Sequence, residues 1–67
     1  MNLSAIYRLH ALTCAAIGRS WAETDLVTGR ELYDEGKVTF SALGAPALTE
    51  PGEQELRDAI AGMRGKP

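Results

Sequence analysis

His10 and Cys14, four residues apart in "RLHALTCAA", are the two side chains whose types and spacing suit chemistry. On a helix that spacing sets both on one face, where they could share a metal or pair as thiolate and imidazole. Zinc takes three or four protein ligands, however, and the chain holds one cysteine and one histidine in all. A cysteine nucleophile also needs an orienting group and oxyanion donors, which 67 residues scarcely supply. The expectation is a structural pair, with no catalytic residue, no metal site and no cofactor.

Other side chains narrow the classes further. The carboxylates lack calcium-loop spacing, and no glycine-rich phosphate loop occurs. Nine Asp and Glu stand against seven Lys and Arg, with no basic patch to displace counterions from phosphates. The acids gather instead at Glu23, Asp25, Glu31, Asp34 and Glu35, opposed only by Arg30. That cluster reads as a solvated face or, less plainly, as an acidic docking surface. Trp21 and Tyr7 read as core or interface residues, since no basic residues interleave with them as a stacking platform for bases requires. A lone cysteine fits a reducing compartment, and "ALTCAAIG" is too short and interrupted to span a bilayer. A soluble cytoplasmic protein of one domain is expected.

The elements that must position these residues follow from periodicity. Residues 3–18 read as a helix with Asn2 or Ser4 as cap and Gly18 as a candidate break. Arg8, Ala11, Ala15 and Arg19 share a narrow polar or small face, while Leu3, Ile6, Tyr7, Leu9, Leu12 and Ile17 spread over more than half the circumference. A helix lying on its own core needs a stripe of only about 100°. The surplus demands cover from another chain. Ser20 and Glu23 make a capping box, and Thr28–Gly29 a helix stop, for a possible short helix at 21–27. A hairpin is expected over residues 30–42. Asp34-Glu35-Gly36 would form its three-residue loop, pairing Leu32 with Val38, Glu31 with Thr39 and Arg30 with Phe40. "SALGAPALTEPG" reads as an irregular connector, residues 43–50 as loop. A last helix over 51–64 starts at a Thr49 or Glu50 cap and carries Leu56, Ala59, Ile60 and Met63 as its apolar stripe, with "RGKP" as a frayed tail. The fold class is α+β: helix or helices, a two-stranded antiparallel hairpin, and a helix.

In "DLVTGRELYDEGKVTF" the order of features resembles the small head–tail joining protein W family of lambda-like phages. Leu26, Thr28 and Gly29 match that family's Leu-x-Thr-Gly motif, and Gly36 to Phe40 resembles its second strand. Leu56 and Ile60 fall where its last helix is apolar. The resemblance implies an N-terminal helix ending in the motif, a hairpin and a C-terminal helix. It also implies a structural, non-catalytic role, with several copies seated on a portal assembly. The functional expectation is a protein-binding module and complex subunit, homo-oligomeric or bound to portal or tail proteins. Its partner-facing residues would be Tyr7, Leu9, Leu12, Trp21, Glu31, Tyr33, Asp34, Glu35 and Lys37. An alternative is a small phage-encoded inhibitor, anti-CRISPR-like, docking its acidic 23–35 region on a host complex. A third is a DNA-binding regulator of winged-helix type reading the groove with Trp21 to Val27, which Glu23, Asp25 and the lack of basic residues disfavour.

Overall fold

Residues 3–64 are described by a computed structural model. Asn2 as a cap and the tail beyond Arg64 lie outside the described residues. The order is α1 (Leu3–Ala16), a 3-10 turn (Glu23–Asp25), α2 (Leu26–Asp34), β1 (Val38–Phe40), β2 (Pro46–Leu48) and α3 (Glu50–Arg64). This is an α+β single domain with a two-stranded antiparallel hairpin.

Gly18 breaks the first helix. At φ +69° it is the left-handed residue of a Schellman cap. Its N–H donates to the Ala15 carbonyl, and the Arg19 N–H reaches back to that of Cys14. Ser4 lies inside α1 rather than capping it.

The hairpin expected at 30–42 is corrected. Leu26–Asp34 is a helix, and Gly36 (φ +78°) ends it as Gly18 ends α1. The Gly36 N–H donates to Tyr33 O and the Lys37 N–H to Leu32 O. A left-handed glycine after a short polar pair serves a helix end and a hairpin bulge equally well. The period decides between them: Asp25, Thr28, Gly29 and Leu32 are the buried positions, a helical spacing. The Thr28–Gly29 stop and the 21–27 helix fall with this, and the Leu26-x-Thr28-Gly29 motif opens a helix where the resemblance implied that it closes one.

Gly29 is a packing glycine. A Cβ there would lie 2.6 Å from Cε3 and Cζ3 of Trp21, whose ring rests against the helix backbone. The true hairpin pairs Val38 with Leu48, Thr39 with Ala47 and Phe40 with Pro46. Its turn uses the three-residue pattern expected earlier in the chain, at Ala42-Leu43-Gly44 with Gly44 at φ +83°. Ser41 and Ala45 close it through a 2.8 Å backbone bond from Ser41 N–H to Ala45 O. The stretch expected as a connector therefore holds β2.

Thr49 caps α3 as expected, its hydroxyl accepting from the Gly52 N–H at 3.3 Å. The same hydroxyl donates to the Gly36 carbonyl, tying the start of α3 to the end of α2. Gly52 is buried because α3 starts there against the backbone just before β1 and against Leu48 of β2, and a Cβ would overlap the Lys37 carbonyl oxygen.

The core is Ala11, Leu12, Ala15, Leu32 and Val38, with Trp21, Leu48 and Leu56 packed on it. The narrow polar or small face of α1 thus points inward at Ala11 and Ala15. Small side chains let α2, α3 and β2 approach one helix closely, and Leu12 fills the space between them. Leu3, Ile6, Tyr7 and Ile17 stay exposed at the ends of α1, as do Ile60 and Met63 late in α3.

Candidate functional site

Three of the chain's four aromatic side chains meet at one surface. Trp21 is held first: its indole N–H donates to the Ala11 carbonyl at 3.0 Å, and its ring lies on Gly29. Phe40, at the end of β1, meets the Trp21 ring edge-on with centroids 5.6 Å apart. Tyr33, in the last turn of α2, meets Phe40 at 5.5 Å. Leu26, Arg30 and Asp34 complete a groove of about 330 Å³ alongside this ridge. Tyr33 is 52% and Phe40 46% exposed, and Leu26 is exposed beside them.

The helix explains the grouping. Leu26, Arg30, Tyr33 and Asp34 recur at four, three and one residue intervals, so they occupy one side of α2, opposite its buried Thr28 and Leu32. Reading residues 30–33 as a strand puts Tyr33 and Phe40 on opposite faces, whereas helix and strand together bring them into contact. Of the residues expected to face a partner, Trp21, Tyr33 and Asp34 line this groove, together with Leu26, Arg30 and Phe40, which that expectation did not include.

The remaining expected contacts disperse. Leu12 is 1% exposed and belongs to the core, which corrects its assignment to a partner face. Leu9 is half-buried, Tyr7 and Glu31 are exposed, and none of the three lines the groove. Glu35 and Lys37 are engaged within the chain. Arg8 donates through Nε and Nη2 to both oxygens of Glu55, at 2.8 and 2.7 Å, and through Nη1 and Nη2 to Glu35 at 3.1 and 2.8 Å. Lys37 adds a 2.7 Å bond from Nζ to Glu55 Oε1. This hub clamps α1, the end of α2 and α3 together. The Arg8 bonds, helped by Lys37, hold the Glu55 carboxyl down to about 2, and hydrogen bonding to Arg8 lowers Glu35 as well. In return, its bonds to Glu55 and Glu35 raise the Arg8 guanidinium.

The acidic cluster is also divided. Asp25 is buried and Glu35 is bound to Arg8, which leaves Glu23, Glu31 and Asp34 exposed. Asp25 turns instead toward α1, where His10 Nδ1 lies 2.9 Å from each of its carboxylate oxygens. Cys14, buried and free, stands on the same side, and one potential ligand atom from each of the three residues lies within 4.8 Å of the other two. Sequence spacing gave the first two members of this group. The third comes from a distant segment, and only the fold of residues 17–25 delivers it.

No helix among the described residues is long and apolar enough to cross a membrane. No protein family, curated protein or solved structure matches this chain, so the aromatic ridge and the His10–Cys14–Asp25 group stand on their own geometry.

Proposed function

We propose that this chain is a non-enzymatic protein-binding module, a structural subunit of a larger assembly, and that the Trp21–Phe40–Tyr33 ridge is its docking face. The observation that carries this reading is the ridge itself. A 67-residue chain leaves about half of Tyr33 and Phe40 in water while two of the five buried residues of its core are alanine. Anchored aromatics beside a groove, with an arginine at the rim, have the composition of binding hot spots. The ridge is also pre-ordered: Trp21 is fixed by its indole hydrogen bond, and the Phe40 ring rests edge-on against it, which reduces the side-chain entropy lost on docking.

The occupant is an apolar segment of a protein partner, its polar flanks meeting Arg30 and Asp34. The resemblance to head–tail joining proteins supplies the assembly. The segment that carries it, Leu26 to Phe40, is the one that furnishes Leu26, Arg30, Tyr33, Asp34 and Phe40 to the groove. In this reading several copies sit on a portal ring and present the surface to which a tail attaches.

Mixing the purified chain with a portal protein and sizing the product by light scattering tests this. A ring-shaped complex with several copies of the chain is expected, lost with Phe40→Asp while circular dichroism shows that variant folded. A chain that stays monomeric beside the portal protein, or a complex indifferent to Phe40→Asp, overturns the proposal.

A further inference from the structure

We propose that His10, Cys14 and Asp25 form a binding site for one divalent transition-metal ion, zinc by the chemistry of its donors. The three residues offer an imidazole nitrogen, a thiol sulfur and a carboxylate oxygen. Imidazole and thiolate together favour zinc among available divalent ions, and a carboxylate completes a three-ligand set of the open kind.

Three features of Asp25 and its neighbours point to a cation. Asp25 joins the 3-10 turn to α2 with a helical backbone (φ −96°, ψ −5°), not the extended one from which an aspartate side chain accepts from the first-turn amides. It makes no such bond, and turns its carboxylate to α1 instead. It is 1% exposed, yet among the described residues its side chain has one hydrogen-bond partner, an imidazole that is itself 60% exposed. A buried carboxylate normally has stronger support than one solvent-exposed imidazole. Cys14 provides the third feature, a buried free thiol on the turn of α1 that follows His10.

The arrangement is a cluster and not a relay. A cysteine–histidine–aspartate catalytic chain strings its members on opposite sides of the imidazole, which holds sulfur and carboxylate apart. Here the potential donor atoms of all three lie within 4.8 Å of one another, surrounding a single point. Around zinc, bond lengths of about 2.0 to 2.3 Å place neighbouring donor atoms about 3.3 to 3.8 Å apart, so closure requires movements of about 1 Å. Binding releases the thiol proton, and the imidazole ligates through one nitrogen with its proton on the other. The thiolate and carboxylate then balance the two positive charges of the ion, leaving a neutral buried centre with its fourth position toward the solvent side of His10. The ion would pin α1 to the entry of α2, bridging the segment from Ile17 to Thr24 in which Glu23 and Thr24 alone belong to a regular element.

The full-length reduced chain, titrated with zinc chloride and separately with cobalt(II) as a spectroscopic probe, tests the site. One ion per chain is expected, with a thiolate-to-cobalt charge-transfer band, the strong visible absorption of tetrahedral cobalt, and a rise in Tm that grows with zinc concentration. Cys14→Ala should abolish the charge-transfer band. Asp25→Asn and His10→Gln should each weaken zinc binding by about 100-fold or more, since losing even an outer partner of a metal ligand costs about 10- to 100-fold. His10→Gln is the safeguard against misfolding, because position 10 is exposed and glutamine retains an N–H for Asp25. A cobalt spectrum without the thiolate band overturns the site. So does half an ion per chain, or zinc affinity unchanged in a folded His10→Gln variant.

Discussion

Ala11, Leu12 and Ala15 on α1 and Trp21, Tyr33 and Phe40 on the ridge are two apolar surfaces treated in opposite ways. The first sets two alanines beside one leucine and is covered almost completely. The second is made of the largest side chains in the chain and is covered by half. A domain assembled only for its own stability would bury the aromatics, since each can remove about 150–250 Å² from water. Close helix approach through alanine and glycine holds this fold together instead, which leaves the large rings available for another surface. Substitutions on the two surfaces should therefore separate stability from binding.

Close approach is tested most severely at Gly52. A methyl there meets the Lys37 carbonyl, which is backbone and cannot swing aside. Gly52→Ala should cost about 3 kcal/mol or more, against a total on the order of 5 kcal/mol for a domain of this size. Urea unfolding followed by Trp21 fluorescence would register this as a largely unfolded population without denaturant. A Gly52→Ala variant as stable as the parent would mean that α3 does not dock through a glycine contact.

Leu12→Ala comes next. With the side chain buried among α1, α2 and the sheet, its truncation should cost about 3 kcal/mol through lost contact and an unfilled cavity. Any loss of partner binding should follow the loss of folded protein. A well-folded Leu12→Ala chain that cannot bind would place Leu12 at an interface and blur the distinction between the two surfaces.

The sequence displays these surfaces unequally. The α+β class was legible, as were α3 and its cap, because Thr49, Pro51 and the stripe from Leu56 follow helix rules that involve only neighbours. The hairpin was misplaced because "DEG" and "ALG" carry the same left-handed glycine signal, and residues 25–34 read equally as a period of two or of 3.6. Gly29 looked like a helix stop because its reason for being glycine is an indole from eight residues earlier. Pro46 and the glycines around it made β2 look like a loop, although proline is tolerated in a two-stranded sheet, where each strand has a free edge. The ridge and the His10–Cys14–Asp25 group were hidden for the same reason: each is completed by a residue whose place depends on where α2 begins.

The ionic hub offers a milder contrast, an electrostatic attachment of α3 beside its glycine contact. Glu55 titrates at about 2 in the folded chain, below the usual carboxylate range, with its side chain 24% exposed. Its stabilisation is fully present above the unfolded carboxyl value near 4.3 and disappears as pH falls from there toward 2. After allowance for screening, the loss should be about 1–2 kcal/mol. Glu55→Gln should flatten that part of the stability profile. An unchanged acid limb in Glu55→Gln would show that other carboxylates govern it.

The smallest effect on stability belongs to Tyr33→Ala, and it bears most directly on the difference between the two surfaces. Tyr33 is half in water and its ring contact is with Phe40, so removing it gives up part of one aromatic pair and little buried area. About 0.5–1 kcal/mol is expected, a small shift of the urea midpoint with unchanged slope. Phe40 loses a neighbour but keeps its edge-on contact with Trp21, so the ridge is shortened without being dismantled. If the ridge is the docking face, the same variant should weaken partner binding by more than about 2 kcal/mol, since a central aromatic anchor typically contributes that much. Isothermal titration against the partner, set beside the urea curve, gives the two numbers on one protein. Equal losses in both would make the ridge an ordinary, poorly covered part of the core.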